Sequence, residues 1–376
     1  MDRFSLRRAV ERLRDGLFDR CAVNFLTVGE DRIEPVFFQG LQALDKGQAN
    51  HLCLCGSYGQ GKSHTLTYLH QLALSQGYAT SVVSLDRREI PFHQFSSVYH
   101  SMMKKLSLPE GKDFASEWKK FAEKGSFECL DTMPHRFRMI LMAMLSKNKQ
   151  SSHKKTPLKK EQIYRPQEYG HWLERALMGY DIPVSHLKEI FKCRDVERAP
   201  RLSLACRGSD PYFQMTQSLG RLLKLMGYKG LLLFFDEAES ITQGRLNQRV
   251  KSYYLLDQFF QTQDAVFPLF AFTDDFFEIV NSELYETQEV FPKNYADCWR
   301  DVNVFRLSDI SSHGWETLLD RLMQMYAQAY QIEFLPLVKP RLRSYLGGIG
   351  AQETRFKLKA LVNRLDIETQ QILLDS

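Results

Sequence analysis

The chain has 376 residues, of which 44% are hydrophobic and 25% are charged, and its formal net charge is +5 at pH 7. These proportions are ordinary for a globular protein, and the length predicts two or three domains. The longest apolar runs have the length of a strand, whereas a membrane helix needs roughly 20 apolar residues. We therefore expect no membrane span. The mild positive charge permits an acidic partner such as nucleic acid without requiring one.

The N-terminal residues and the cysteines both indicate a cytoplasmic protein. The first residues lack the apolar core and the cleavage site of a signal peptide. The seven cysteines are odd in number and scattered along the chain. This pattern favours small buried residues in a reducing compartment over disulfides or a zinc site.

The first part of the chain, residues 1–48, is predicted to be a helical lead. It combines a basic stretch at residues 7–14 with an apolar stretch at residues 36–44. A leading helical segment of this kind can flank a ligand that is bound by the residues after it. The arginines fit a solvated helix face equally well, and the sequence leaves both explanations open.

A glycine-rich turn with the pattern G-x-x-x-x-G-K-S follows an apolar strand at residues 52–54 and precedes a periodic helix. The glycines let the backbone N–H groups curl around a phosphate beside a helix N-terminus, which favours anions. Lys62 adds a positive charge toward the β- and γ-phosphates, and the hydroxyl of Ser63 can bind Mg²⁺. The predicted nucleotide-binding residues are Gly56, Ser57, Tyr58, Gly59, Gln60, Gly61, Lys62, Ser63 and His64.

A β-branched strand at residues 79–85 completes a βαβ unit with parallel strands. Residues 107–205 then interrupt the pattern with helical segments and loops, and we predict a helical insertion there. Its stretch at 146–162 is rich in lysine and too polar to bury a core, so we expect a flexible basic loop. The loop fits a solvated linker, and it also fits a nucleic-acid contact in which lysines neutralise phosphates.

The sheet resumes with predicted strands at 231–235, 266–272 and 302–305, and with a helix at 245–261. These elements place an α/β core with a parallel sheet at residues 49–106 and 206–309. Residues 310–376 show helical spacing of apolar side chains and are predicted to form a helical lid. The fold prediction is thus a P-loop NTPase core with a helical insertion and a C-terminal helical lid.

Paired acids, Asp236 and Glu237, follow five consecutive apolar residues. A buried strand that ends in two carboxylates beside a P-loop is the Walker B arrangement. Asp236 would hold Mg²⁺ through water, and Glu237 would polarise the water that attacks the γ-phosphate. The second acid favours hydrolysis over simple phosphate binding.

Thr273 ends the next strand, where a polar side chain can position the attacking water or contact the γ-phosphate. Asp274 could serve instead, and a helix-capping residue is the third explanation. The guanine-binding N-K-x-D pattern is absent, and Asp236 is not followed by x-x-G. Kinases of small metabolites usually lack the acid pair. The residue types therefore predict ATP with Mg²⁺ and an ATPase.

The order of these parts resembles the AAA+ ATPases of the origin-recognition kind, and more closely the ATP-binding proteins of BREX phage-defence systems. The resemblance covers most of the chain outside 107–205. Its motifs lie at residues 7–16, 59–64, 234–239 and 354–366.

The resemblance implies two arginine roles. A sensor arginine on the lid reaches the γ-phosphate in AAA+ proteins, and Arg355 lies at the matching position. A second arginine acts across a subunit boundary, which implies a homo-oligomer, and Arg300 is the nearest match. Arg306, Arg245 and Arg249 compete with Arg300 for this role.

The residues after 310 are too few for the separate winged-helix domain of origin-binding proteins, so DNA contact would fall to the insertion or to a partner. The predicted function is an ATPase of a phage-defence or DNA-handling complex. Two alternatives stay open: a nucleotide-dependent switch for a partner helicase or nuclease, and a DNA-binding loader that uses the lysines. A small-molecule kinase is a more distant alternative.

Overall fold

The computed structural model describes residues 2–17, 19–124, 133–146, 168–196, 204, 208–262, 265–348 and 353–375. Within these ranges the protein has an α/β fold built on a five-stranded, all-parallel sheet with the order β2-β3-β4-β1-β5. The strands are β1 (Leu52–Cys55), β2 (Ala79–Ser84), β3 (Leu231–Asp236), β4 (Val266–Phe272) and β5 (Val304–Arg306). The predicted fold class is confirmed.

The described helices alternate with the strands and then close the chain. The helices before β3 are α1 (Arg3–Arg14), α2 (Val23–Leu26), α3 (Glu30–Asp45), α4 (Lys62–Ser75), α5 (Phe95–Lys104), α6 (Phe114–Lys124), α7 (His135–Leu145), α8 (Tyr169–Leu177), α9 (Val184–Cys193) and α10 (Asp210–Leu225). The later helices are α11 (Leu246–Phe260), α12 (Phe276–Thr287), α13 (Tyr295–Cys298), α14 (Ser312–Tyr330), α15 (Val338–Gly348) and α16 (Thr354–Asp375).

The central strands are apolar throughout because helices cover both faces of the sheet. Along β3, Leu232 and Phe234 pack with α3 and α4 on one face. The alternate residues, including Phe235, pack with α5, α10 and α11 on the other face. Phe235 stacks on Phe270 of β4 with ring centroids 4.7 Å apart. A parallel strand buried on both faces needs such a continuous apolar run.

The described part of the predicted insertion is helical and packs on the α5–α10 side of the sheet. Trp118 of α6, Phe137 of α7, Leu173 of α8 and Phe191 of α9 are all buried in the same cluster as the core helices. Ser107 forms an isolated antiparallel bridge with Thr80 at the outer edge of β2. The basic loop predicted at 146–162 lies outside the described residues except for Ser146.

The first helix packs with the C-terminal helices. Leu6, Val10 and Leu13 of α1 are buried in one hydrophobic cluster with residues of α14, α15 and α16. Arg14 forms a bidentate ion pair with Asp366 of α16, at 2.7 and 2.8 Å. The helical lead is therefore joined to the predicted lid by both apolar and ionic contacts.

The carboxyl ends of β1, β3 and β4 lie at the same edge of the sheet. The register pairs Cys55 of β1 with Phe272 of β4, and Phe235 of β3 with Phe270 of β4. The glycine-rich turn, the acid pair and the segment after β4 consequently meet at this edge. No described helix combines the length and the apolar composition that a membrane span requires.

Candidate functional site

A cleft with about 250 Å³ of open space lies at the carboxyl edge of the sheet. One wall is the glycine-rich turn with the start of α4, residues 57–65. The end of β3 contributes Asp236, Glu237 and Glu239. The remaining walls come from the N-terminal segment and from α14 and α16. The structure thus brings the two predicted motifs to one cavity.

The glycine-rich turn has two residues in the left-handed region of backbone space. Gly59 has φ +74° and Gly61 has φ +100°. An added Cβ at Gly61 would meet no atom within 4 Å, so the backbone angle requires glycine there, not lack of space. This angle lets α4 begin at Lys62, directly after the turn.

Lys62 is buried within the turn that precedes it. Its Nζ donates hydrogen bonds to the carbonyl oxygens of Gly56 and Ser57, at 2.7 and 3.1 Å. The same ammonium lies 5.5 Å from the ring centroid of Tyr58, whose side chain is 70% exposed. The positive charge is held inside the loop by backbone carbonyls, and a phosphate could replace these acceptors.

Ser63 and Asp236 both line the cleft and offer oxygen atoms to a ligand. Asp236 is half-buried, and its Oδ1 accepts a hydrogen bond from the backbone N–H of Glu237 at 3.0 Å. A hydroxyl and a single carboxylate are a donor set that fits Mg²⁺, which keeps several waters and completes its shell with substrate phosphates. Across the described residues, no group of three His, Cys, Asp or Glu side chains could ligate a metal by itself.

Glu237 is exposed and has φ +56°, an unusual angle for a residue other than glycine. Partial burial raises the pKa of its carboxyl group, with further contributions from the negative charges of Asp236 and Asp86, while Lys62 acts in the opposite direction. A raised pKa strengthens a carboxylate as a proton acceptor.

Glu239 also lines the cleft, although no sequence motif predicts a role for it. Its Oε2 is buried and has no hydrogen-bond partner among the described residues. Burial raises the pKa of this carboxyl group. The only sequence signal was its position three residues after Asp236, which says nothing about the direction of the side chain.

The segment after β4 contacts the glycine-rich turn through Asp274. The hydroxyl of Ser57 donates to Oδ2 of Asp274 at 2.7 Å, and Arg306 donates to the Asp274 carbonyl at 3.3 Å. Thr273 is half-buried, and its carbonyl accepts the N–H of Phe276 at the start of α12. A catalytic role for Thr273 stays a prediction, and Asp274 is the neighbour whose side chain contacts the turn.

Gln60 and His64 tie the turn to other parts of the chain. The side chain of Gln60 accepts the N–H of Ser57 at 2.8 Å and donates to Asp309 at 3.2 Å. His64 Nε2 lies 2.9 Å from the hydroxyl of Thr27, and burial lowers the pKa of its imidazole to about 4. His64 is therefore a neutral link between α4 and the N-terminal segment at pH 7.

The two arginines implied by the resemblance occupy different places. Arg355 is exposed and lines the cleft at the start of α16. Arg300 is absent from the residues that line the cleft; its side chain is 75% exposed and pairs with Asp297 at 2.7 Å. Of these two arginines, Arg355 is the one that lines the cavity of its own chain.

The part of the cleft formed by the helical lead and the lid is mainly apolar, a surface suited to a nucleotide base. Its apolar lining residues are Leu13, Leu17, Ala22, Leu26, Val28, Ile310, Leu318 and Leu358. The buried carboxylate of Asp19 also lies there, 3.6 Å from Arg12. The helical lead and the lid together form this part of the site.

The family model of the BREX system ATP-binding protein BrxC/D matches residues 4–116 and 207–371, most of the chain. The chain belongs to this family. Membership gives it an ATP-binding role in a phage-defence system, and every predicted site residue lies inside the matched ranges. The unmatched stretch between the two ranges overlaps the predicted insertion. No curated protein matches the chain.

Proposed function

We propose that the protein is a Mg²⁺-dependent ATPase of a BREX phage-defence complex, of the P-loop AAA+ kind and cytoplasmic. One observation carries the proposal: Lys62 and Ser63 share a cleft with Asp236 and Glu237. A site that only binds phosphate needs Lys62 and Ser63 but not the two acids. The second pair adds a carboxylate for the metal and a carboxylate for the attacking water.

Each residue has a task that its position supports. Lys62 exchanges its two carbonyl partners for phosphate oxygens, and the apolar part of the cleft takes the adenine. Mg²⁺, bound through Ser63 and Asp236, would neutralise phosphate charge. Glu237 accepts a proton from water as the water oxygen bonds to the γ-phosphorus. The bond from that phosphorus to the bridging oxygen breaks, and ADP and phosphate result.

Arg355 extends the site from the lid. Its place at the start of α16 allows its guanidinium to approach the γ-phosphate and to stabilise charge that develops during transfer. ATP would thereby connect the core to the lid. Movement of the lid, or assembly with further copies or with a helicase or nuclease partner, is the proposed output of turnover.

The proposal is tested by measuring ATP hydrolysis over a series of protein concentrations, with and without duplex DNA. Glu237→Gln keeps the shape of the side chain and removes its proton acceptor, so we expect binding of ATP with turnover lowered at least 100-fold. Glu278→Gln, an exposed acid on α12, is the matched control and should keep full activity. Equal turnover in the two variants would contradict the assignment of Glu237.

The same assay separates the alternatives. Tight ATP binding without turnover under every condition would favour a nucleotide-dependent switch. Stimulation by DNA that declines steeply with salt would favour a loader. The lysines proposed for that contact, at 146–162, lie outside the described residues. The measurements with DNA therefore test a hypothesis that comes from the sequence alone.

A further inference from the structure

The carboxyl group of Glu239 is an unsatisfied acceptor inside the candidate site. Its Oε2 is buried and has no hydrogen-bond partner in the part of the chain that the structure describes. The residue lines the same cleft as Ser63 and Asp236. A buried carboxylate oxygen without a donor destabilises the folded protein, whereas an apolar side chain would not.

The local backbone directs Glu239 to this place. Glu237, with φ +56°, turns the chain at the end of β3, and a 3-10 helix follows at Ala238–Gln243. Ala238 and Ile241 of this helix are buried in the hydrophobic core, while Glu239 lines the cleft. The acid is thus held at the cavity by a packed element and not by a partner of its own.

A donor for this oxygen can arrive with a ligand of the cleft. Lys62 is the nearby cation, but its Nζ donates to two carbonyl oxygens of the glycine-rich turn. Mg²⁺ usually keeps several of its waters, and each water donates hydrogen bonds to surrounding acceptors. Because no three acidic or imidazole groups of the described chain could ligate a metal together, Glu239 would act through water.

We propose that Glu239 is a positioning residue for the metal, accepting a hydrogen bond from a water bound to the Mg²⁺ held by Ser63 and Asp236. This inference rests on the proposed function, because it requires a metal–nucleotide complex in the cleft. Outer-sphere partners of this kind typically contribute 10- to 100-fold to metal affinity. Glu239 thereby fixes the metal without touching the nucleotide.

The test measures metal binding instead of turnover. Mn²⁺ is titrated into the protein saturated with a non-hydrolysable ATP analogue, and free Mn²⁺ is followed by its electron paramagnetic resonance signal. Glu239→Gln should weaken Mn²⁺ binding about tenfold or more. Its affinity for the analogue in EDTA should equal that of the wild type. Glu278→Gln is the control and should bind Mn²⁺ like the wild type. Asp236→Asn shows how much Mn²⁺ affinity is lost when a direct or water-bridged ligand of the metal is removed.

Unchanged Mn²⁺ affinity in Glu239→Gln would overturn the inference. A large loss of analogue affinity in EDTA would also overturn it, because the acid would then serve the nucleotide or the fold. Thermal unfolding in EDTA is the control for misfolding. The Glu239→Gln variant should be no less stable than the wild type, because the substitution removes the charge of a carboxyl group whose Oε2 is buried without a partner among the described residues. If the wild type itself binds no metal–nucleotide complex, the proposed function is contradicted, and the role of Glu239 that rests on it is contradicted as well.

Discussion

Gly61 shows how a single backbone angle can matter more for binding than for stability. At φ +100°, alanine would introduce strain of about 1–2 kcal/mol, yet its Cβ would meet no neighbouring atom. We expect Gly61→Ala to fold and to lose ATP affinity at least tenfold, because relief of the strain moves the N–H groups of the turn. Isothermal titration with a non-hydrolysable analogue measures the change.

A matched control exists at Gly47, in the turn after α3. This glycine also has positive φ, +68°, with open space at its Cβ position, and it lies away from the cleft. Gly47→Ala should show a similar loss of stability and normal ATP affinity. If both variants bound equally weakly, general destabilisation would explain the result.

His70 on α4 should make stability depend on pH. Burial, and secondly the charge of Arg20, lower the pKa of its imidazole to about 4. The unfolded chain takes up this proton near pH 6.5 and the folded chain only near pH 4, so stability is full above pH 6.5 and declines as the pH falls toward 4. The loss is of the order of 2 kcal/mol at pH 5.

Chemical denaturation at pH 7.5 and pH 5 checks this contribution. His70→Gln removes the titrating group and should reduce the difference between the two pH values. A pH dependence that is identical in wild type and His70→Gln would show that other groups cause it.

At the scale of elements, the contact between α1 and α16 is the most specific long-range feature. Arg14 and Asp366 are each about three-quarters buried, and the hydroxyl of Tyr326 donates to the same carboxylate at 2.5 Å. The ion pair raises the pKa of the Arg14 guanidinium further above its ordinary value. Removing either partner takes two hydrogen bonds from the remaining one in a largely buried setting.

We expect a double-mutant cycle of Arg14→Met and Asp366→Asn to give a coupling of about 1–3 kcal/mol in unfolding free energy. The pair of Arg343 and Glu316 is the comparison, because it is more exposed and should show a smaller coupling. Equal coupling in the two cycles would mean that burial gives the first pair no advantage.

The elements differ in how much of them a sequence can predict. The strand at 266–272 was predicted with its observed bounds, and the strand at 302–305 was found at Val304–Arg306. Periodicity and apolar runs are local, so they reveal such elements and the two phosphate motifs. The packing of α1 on the lid joins residues more than 300 positions apart, and no local pattern encodes it. The direction of Glu239 was missed for the same reason.

At the scale of the whole molecule, Arg300 raises the question of assembly. Its exposed guanidinium does not line the cleft of its own chain, whereas Arg306 contacts Asp274 within the chain. If Arg300 completes a neighbouring site, Arg300→Ala should bind ATP normally and lose turnover at least tenfold. Mixing it with Glu237→Gln should restore part of the activity, because one intact site can form between the two variants.

The control for this mixing experiment is Arg306→Ala. Arg306 contacts Asp274 of its own chain, so any turnover that this variant loses should not be restored by mixing it with Glu237→Gln. Full activity of Arg300→Ala alone would exclude a role for this arginine. The comparison therefore distinguishes an arginine that acts between subunits from one that acts within a subunit.

The union of α1 with α14 and α16 has a consequence for synthesis on the ribosome. The apolar side chains of α1 are made first, but their partners in the lid emerge roughly 300 residues later, about 15 to 60 s at ordinary translation rates. During that interval Leu6, Val10 and Leu13 lack the lid residues that cover them in the folded protein. The nascent chain is thus exposed to aggregation through its first helix, and a chaperone that binds short apolar helices would protect it until the cleft is complete.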